Sequence, residues 1–142
     1  MITLTMTLSL MSRRSLALQA VNELSQERFR YGKMDCCLFA IEVALLVTGN
    51  DHGHRFRNRY ATRAEAGQLI DRAGGLQSLV STQLGEPVDT YQCLDGDPVM
   101  VAYDVKFFDH TLGVRLGEHI VMKTSKSVRR INLEHGILGW RA

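Results

Sequence analysis

Asp35, Cys36 and Cys37 stand where an apolar run begins, in "YGKMDCCLFAIEV", residues 31–43. A thiol attacks as its thiolate, and a free cysteine is mostly protonated near neutral pH. The first turn of a helix offers unpaired N–H groups and the positive end of the peptide dipoles, and both favour a thiolate. Cys36, directly after a capping Asp35, stands where that help is largest. Nucleophilic cysteine chemistry also needs a base, commonly a histidine delivered from a sheet. The ordinary alternative is that Cys36 and Cys37 are small core fillers, since free cysteine is among the most buried residue types. On spacing alone that alternative is the default.

The elements that must position these groups can be read from pattern. Asp35 suits an N-cap, "CCLFAIEVALLVT" follows, and Gly49 suits the stop. This helix is apolar nearly all round, which predicts a central, buried element. An earlier helix is expected from Ser12 as cap, with Leu16, Ala20, Val21 and Leu24 on one face. Before it, Ile2, Leu4, Met6, Leu8 and Leu10 alternate with Thr3, Thr5, Thr7 and Ser9. Alternation of period two predicts a strand, within the chain or as an arm on a partner's sheet. Residues 1–11 are therefore expected as an N-terminal strand or arm, and residues 12–142 as the domain.

Thr62 and Glu65 form a capping box at the start of "TRAEAGQLIDRAGG", and a short helix "LQSLVSTQL" stops at Gly85. After it the character changes. "PVMVAY", "HTLGVRL", "HIVMKT" and "SVRRINL" are short strand-like runs between turn residues. Helices first and antiparallel strands second predict an α+β domain, with helices packed on a small antiparallel sheet.

The bulk numbers exclude several function classes. The chain has 142 residues, 45% hydrophobic and 23% charged, which fits one globular domain. A net charge of +2 is too small to argue for nucleic acid as the main ligand. No apolar run approaches the ~20 residues that span a bilayer. In "MITLTMTLSLMSRR" the basic residues follow the apolar stretch, the reverse of an export signal. Three cysteines, two of them adjacent, make a poor disulfide framework, so free thiols are expected. Asp51, His52 and His54 lack a fourth ligand and a supporting element, so they read as a solvated loop, and no metal or cofactor is expected. Arg55, Arg57, Arg59 and Arg63 form a basic cluster that reads by default as a solvated face. Cys93 and Trp140 are expected in the core, and His119 and His135 in turns.

Against this background, "YGKMDCCLFAIEV" resembles the nucleophile motif of the NlpC-type papain-like cysteine peptidases, in which an aromatic-Gly pair precedes Asp-Cys and an apolar helix follows. "DGDPVMV", residues 95–101, resembles that family's Gly-Asp strand motif, and "HTLGVRLG", residues 110–117, resembles its His-bearing strand. "TGND", "RNRYATRAEAGQLIDRAGGLQSLVSTQLGEPVD" and the closing Gly139-Trp140-Arg141 resemble a small branch of the superfamily found among phage and prophage tail proteins. The resemblance covers about Phe29 to Arg141.

It implies a papain-like fold, Cys36 as nucleophile, Asp35 as the cap fixing the helix start, and Asp97 as the structural Asp of the Gly-Asp turn. Cys37 replaces the small polar residue that usually follows the nucleophile. His110 is the implied proton shuttle. The family has one residue between His and Gly, whereas Thr111 and Leu112 separate His110 from Gly113. One residue of shift turns a strand side chain to the other face, so His110 is expected to reach Cys36 only through a bulge or an irregular strand start. The third member comes from the next strand, where Met122 and Lys123 are poor acceptors for an imidazole.

Three functions follow from the resemblance. The first is a structural part of a phage or prophage tail tip or baseplate hub, with degenerate catalytic machinery. The virion would be its place, after synthesis in the bacterial cytoplasm, and other tail-tip or hub proteins its partners. The alternative is a cysteine hydrolase that cleaves peptidoglycan stem-peptide amides during cell-wall penetration. Acyl transfer on another amide or ester is the third. The shifted His110 and the absent orienting residue favour the first.

Overall fold

Asp35 and Gly49 bracket the central helix as their types predict. The computed structural model describes residues 2–105 and 108–142, with side chains described for 12–102 and 109–142. Asp35 has extended backbone and its side chain accepts the Leu38 N–H, while Gly49 closes the helix at φ 80°. Between them α2 (Cys36–Thr48) buries Cys37, Leu38, Phe39, Ala40, Ile41, Val43 and Ala44. Around it lie α1 (Ile2–Ser25), α3 (Arg63–Arg72) and α4 (Leu76–Leu84). Thr62 accepts the Glu65 N–H at the start of α3, as the capping box predicts.

The second half is an antiparallel sheet of β1 (Pro98–Val105), β2 (Phe108–Leu116), β3 (His119–Lys123), β4 (Val128–Asn132) and β5 (Gly136–Gly139), in the order β4-β3-β2-β1-β5. The protein is thus one α+β domain, its four helices packed on a five-stranded antiparallel sheet. Alternation divides the sheet into two faces. Met100, Leu112, Val114, Leu116 and Val121 pack with α2, while Val99, Val101, Ile120 and Met122 form a second cluster with Cys93 and Leu133. Trp140 is fully buried in the first cluster and donates its indole N–H to Ser81 Oγ at 3.1 Å.

The N-terminal expectation is overturned. Residues 2–10 are helical rather than extended, in an α1 that runs unbroken through Ser12, so Ser12 caps nothing. Adding residues to an existing helix needs no new nucleus and pairs each backbone N–H as it joins. A strand there would need a neighbour to pair with, and all five strands of the sheet lie after residue 97. The buried face of α1 is Ala17, Ala20 and Val21, with Leu24 packed beside them. Leu16, expected on that face, is 47% exposed.

Asp97, in the turn entering β1, ties α1 and the C-terminus to the sheet. Its buried carboxylate accepts Arg13 Nη2 at 2.7 Å, Leu94 N–H at 2.7 Å and Ala142 N–H at 3.1 Å, with Arg141 Nε 3.6 Å away. Burial pushes this carboxyl above its ordinary range, against the pull of those donors. The next turn residue over, Asp95, accepts Arg14 Nε at 2.9 Å. Removing one partner of a buried ion pair strands the other charge and typically costs several kcal/mol. Asp97→Ala is expected to lower stability by about 3 kcal/mol in urea unfolding; a loss below about 1 kcal/mol, the size of an ordinary exposed pair, would contradict this role.

Candidate functional site

The site is organised by one carboxylate. Asp35 Oδ1 accepts the Leu38 N–H at 3.0 Å, which caps α2. Asp35 Oδ2 accepts the Gly32 N–H at 2.9 Å and the Tyr60 hydroxyl at 2.6 Å. Asp35 is 2% exposed and Tyr60 9%, so these bonds lie out of water. Burial, and the carboxylate beside it, push the Tyr60 phenol far above its ordinary range, so it stays protonated and donates. Gly32 also holds φ +78°, and a Cβ there would lie 1.9 Å from the Tyr60 carbonyl oxygen. Only glycine lets the two loops close on each other. Asn58 N–H donates to the Gly32 carbonyl at 2.9 Å and completes the clasp.

Cys36 is the first residue of α2, half-buried, and Cys37 is buried; all three cysteines are free. The Cys37 thiol lies close to the Cys36 sulfur; its proximity holds the Cys36 thiol below its ordinary range and pushes Cys37 well above it. Burial and the Asp35 charge oppose the Cys36 shift, and the nearby Thr111 hydroxyl assists it. Thr111 Oγ1 is buried and forms no complete hydrogen bond, so its help is that of a close dipole. Cys93, by contrast, is pushed up to about 12, chiefly by burial.

His110 lines the same cavity as Cys36, together with Tyr31, Tyr60 and apolar side chains of α3 and α4. The expected condition for this is a bulge or an irregular strand start. β1 and β2 stay in register from Pro98↔Val114 to Ala102↔His110, and the register shift begins directly beyond His110, at the start of β2. His110 has the parity of Leu112 and Val114, which pack with α2, so plain alternation delivers it. The cavity itself is about 10 Å³, room for about one water. No orienting group reaches His110 from the next strand. Met122 belongs to the cluster on the other face, and Lys123 spends its ammonium on the Glu27 carbonyl at 2.7 Å.

Among the described residues, Asp35, Cys36 and Cys37 also bring one ligand atom each within 4.8 Å of one another. They do not fit a metal: both Asp35 oxygens already accept donors, and Cys37 is held as a thiol. Asp51 is taken by Arg57 and by the Gly53 N–H, so the loop of Asp51, His52 and His54 is organised by an ion pair. Arg57 bridges Asp51 and Glu42, which removes it from the basic cluster read from sequence. Sequence reasoning missed Tyr60 and Thr111, whose roles arise only when distant segments meet.

The chain belongs to the family described as Domain of unknown function (DUF6950), whose model matches residues 11–142. No curated protein and no solved structure matches it.

The neighbouring Cys37 thiol gives a pH prediction. Removing it in Cys37→Ala leaves the Cys36 thiolate less favoured, so the thiol pKa rises and less thiolate is present at any given pH. The pH profile of Cys36 alkylation by iodoacetamide, followed by mass spectrometry, is expected to move to higher pH in Cys37→Ala and less in His110→Ala. A Cys37→Ala profile that stays in place or moves to lower pH would contradict the assignment.

Proposed function

We propose that the protein is a structural component of a phage or prophage tail tip or baseplate hub, built on an NlpC-like papain fold whose catalytic machinery is incomplete. The observation that carries this reading is the surroundings of His110. A working imidazole needs a partner to fix its tautomer and direction, and Met122 and Lys123, at the positions where that partner belongs, do not supply it. Two further points support it. Thr111, two residues before Gly113, stands where the spacing of the resembled motif has its His. The cavity beside Cys36 is small, about 10 Å³. The tail-tip setting, the virion as its place and other hub proteins as partners rest on the sequence resemblance. No helix among the described residues is long and apolar enough to cross a membrane.

A second reading, a cysteine hydrolase acting on peptidoglycan stem-peptide amides, is favoured by one observation: Cys36, its thiol below the ordinary range, shares a cavity with His110. In that reading the Cys36 thiolate attacks the amide carbonyl, His110 passes its proton to the leaving amine, and water releases the acyl group from sulfur. Purified protein incubated with peptidoglycan is expected to release no new amino groups. Release that disappears in both Cys36→Ser and His110→Ala would overturn the structural reading and establish the hydrolase.

A further inference from the structure

Beside the Cys36 cavity runs a second, open groove of about 440 Å³, and the two share Tyr31 and Tyr60. Arg30, Lys33 and Arg59 line it. None of these three cations pairs with a carboxylate among the described residues. Lys33 Nζ donates to the neutral Asn58 Oδ1, and Arg59 Nε donates to the His54 carbonyl at 3.3 Å. The one acid in the lining, Glu65, is turned to α3, where it accepts the Ala61 N–H at 3.1 Å and the Thr62 hydroxyl at 3.2 Å. By contrast, Arg57, Arg13 and Arg14 all have acidic partners. Three cations without an acidic partner thus line one groove.

The walls of this groove are held still. Its two sides are the loop 30–34 and the loop 58–61, joined by the Asn58 N–H to Gly32 bond and by Tyr60 and Gly32 meeting on Asp35. Asn58 holds φ 62°, the only non-glycine residue with positive φ among those described. Such conformations persist where the surroundings over-determine them and are frequent at binding sites. A rigid basic groove loses little entropy when it takes a charged partner.

We propose that this groove is a binding site for an acidic peptide segment, whose carboxylates pair with Arg30, Lys33 and Arg59. Carboxylates fit better than phosphates here. Phosphate sites commonly use free N–H groups at a helix start, but the starts of α2 and α3 are already capped by Asp35 and Thr62. Arginine forks match carboxylates in paired hydrogen bonds. A nucleic acid would need a longer basic track than three side chains provide. The site does not depend on whether Cys36 reacts, and it would serve an acidic segment of a neighbouring protein in either functional reading.

The experiment measures fluorescence anisotropy of a short labelled poly-glutamate peptide, and of its poly-glutamine counterpart, with the full chain at low salt. The glutamate peptide is expected to bind and the glutamine peptide not. Arg30→Gln with Arg59→Gln should weaken binding about tenfold, and added salt should weaken it further. Arg129→Gln, an exposed cation on β4 away from the groove, should leave it unchanged, and circular dichroism checks that each variant is folded. Equal binding of both peptides, no binding at low salt, or an Arg129→Gln loss as large as the double variant's would each overturn the proposal. Displacement of the peptide by tripolyphosphate at lower concentration than by free poly-glutamate would overturn the carboxylate assignment.

Discussion

Three donors from three segments converge on the Asp35 carboxylate: Leu38 N–H in α2, Gly32 N–H in the preceding loop and the Tyr60 hydroxyl 25 residues on. The rest of the site depends on this convergence. A buried carboxylate is tolerated only when its lone pairs are filled, so the fold must bring all three segments together or leave a charge stranded. Once they meet, the start of α2 is fixed, Cys36 is set against β2, and the Gly32 loop lies against the Tyr60 loop. Tyr31 and Tyr60, on these two loops, line both the Cys36 cavity and the basic groove.

The chemistry of the two thiols follows from this placement. Asp35 places a negative charge beside Cys36, which opposes a thiolate, and burial opposes it too. The Cys37 thiol and backbone N–H, together with the Thr111 hydroxyl, outweigh both. Adjacent cysteines at a helix start therefore do something that one cysteine would not: the second holds its proton so that the first can lose its own. The cost falls on Cys37, whose thiol is pushed well up. This division leaves Cys36 reactive in principle and His110 near it, yet nothing on β3 directs the imidazole.

Much of the frame was legible because its determinants are local. Asp35, Gly49, Thr62 and Glu65 act within one turn of their own helix, and the four longer strands carry their own alternation. The Tyr60 hydroxyl and Gly32 clash could not be read, because they arise from loops distant in sequence. The face of His110 was legible, but in a different place from where the family spacing pointed: its parity with Leu112 and Val114 carries the information. Residues 2–10 misled because alternation every second residue is a strand signal only where a partner strand exists, and continuity with α1 decided otherwise. The basic run looked uniform in sequence. Acids at Glu42 and Asp51 divide it, taking Arg57 and leaving Arg59 to the groove. β5 is short and flanked by glycine, and only its pairing with β1 and Val88 defines it.

The most direct test of the Asp35 account is a double-mutant cycle of Asp35→Ala and Tyr60→Phe, with each stability taken from urea unfolding. A shared buried network is expected to give a coupling of about 1–3 kcal/mol, the double variant losing less than the sum of the singles. Additive losses, within about 0.5 kcal/mol, would mean that Asp35 is only a helix cap and would contradict its place as the tie between the loops.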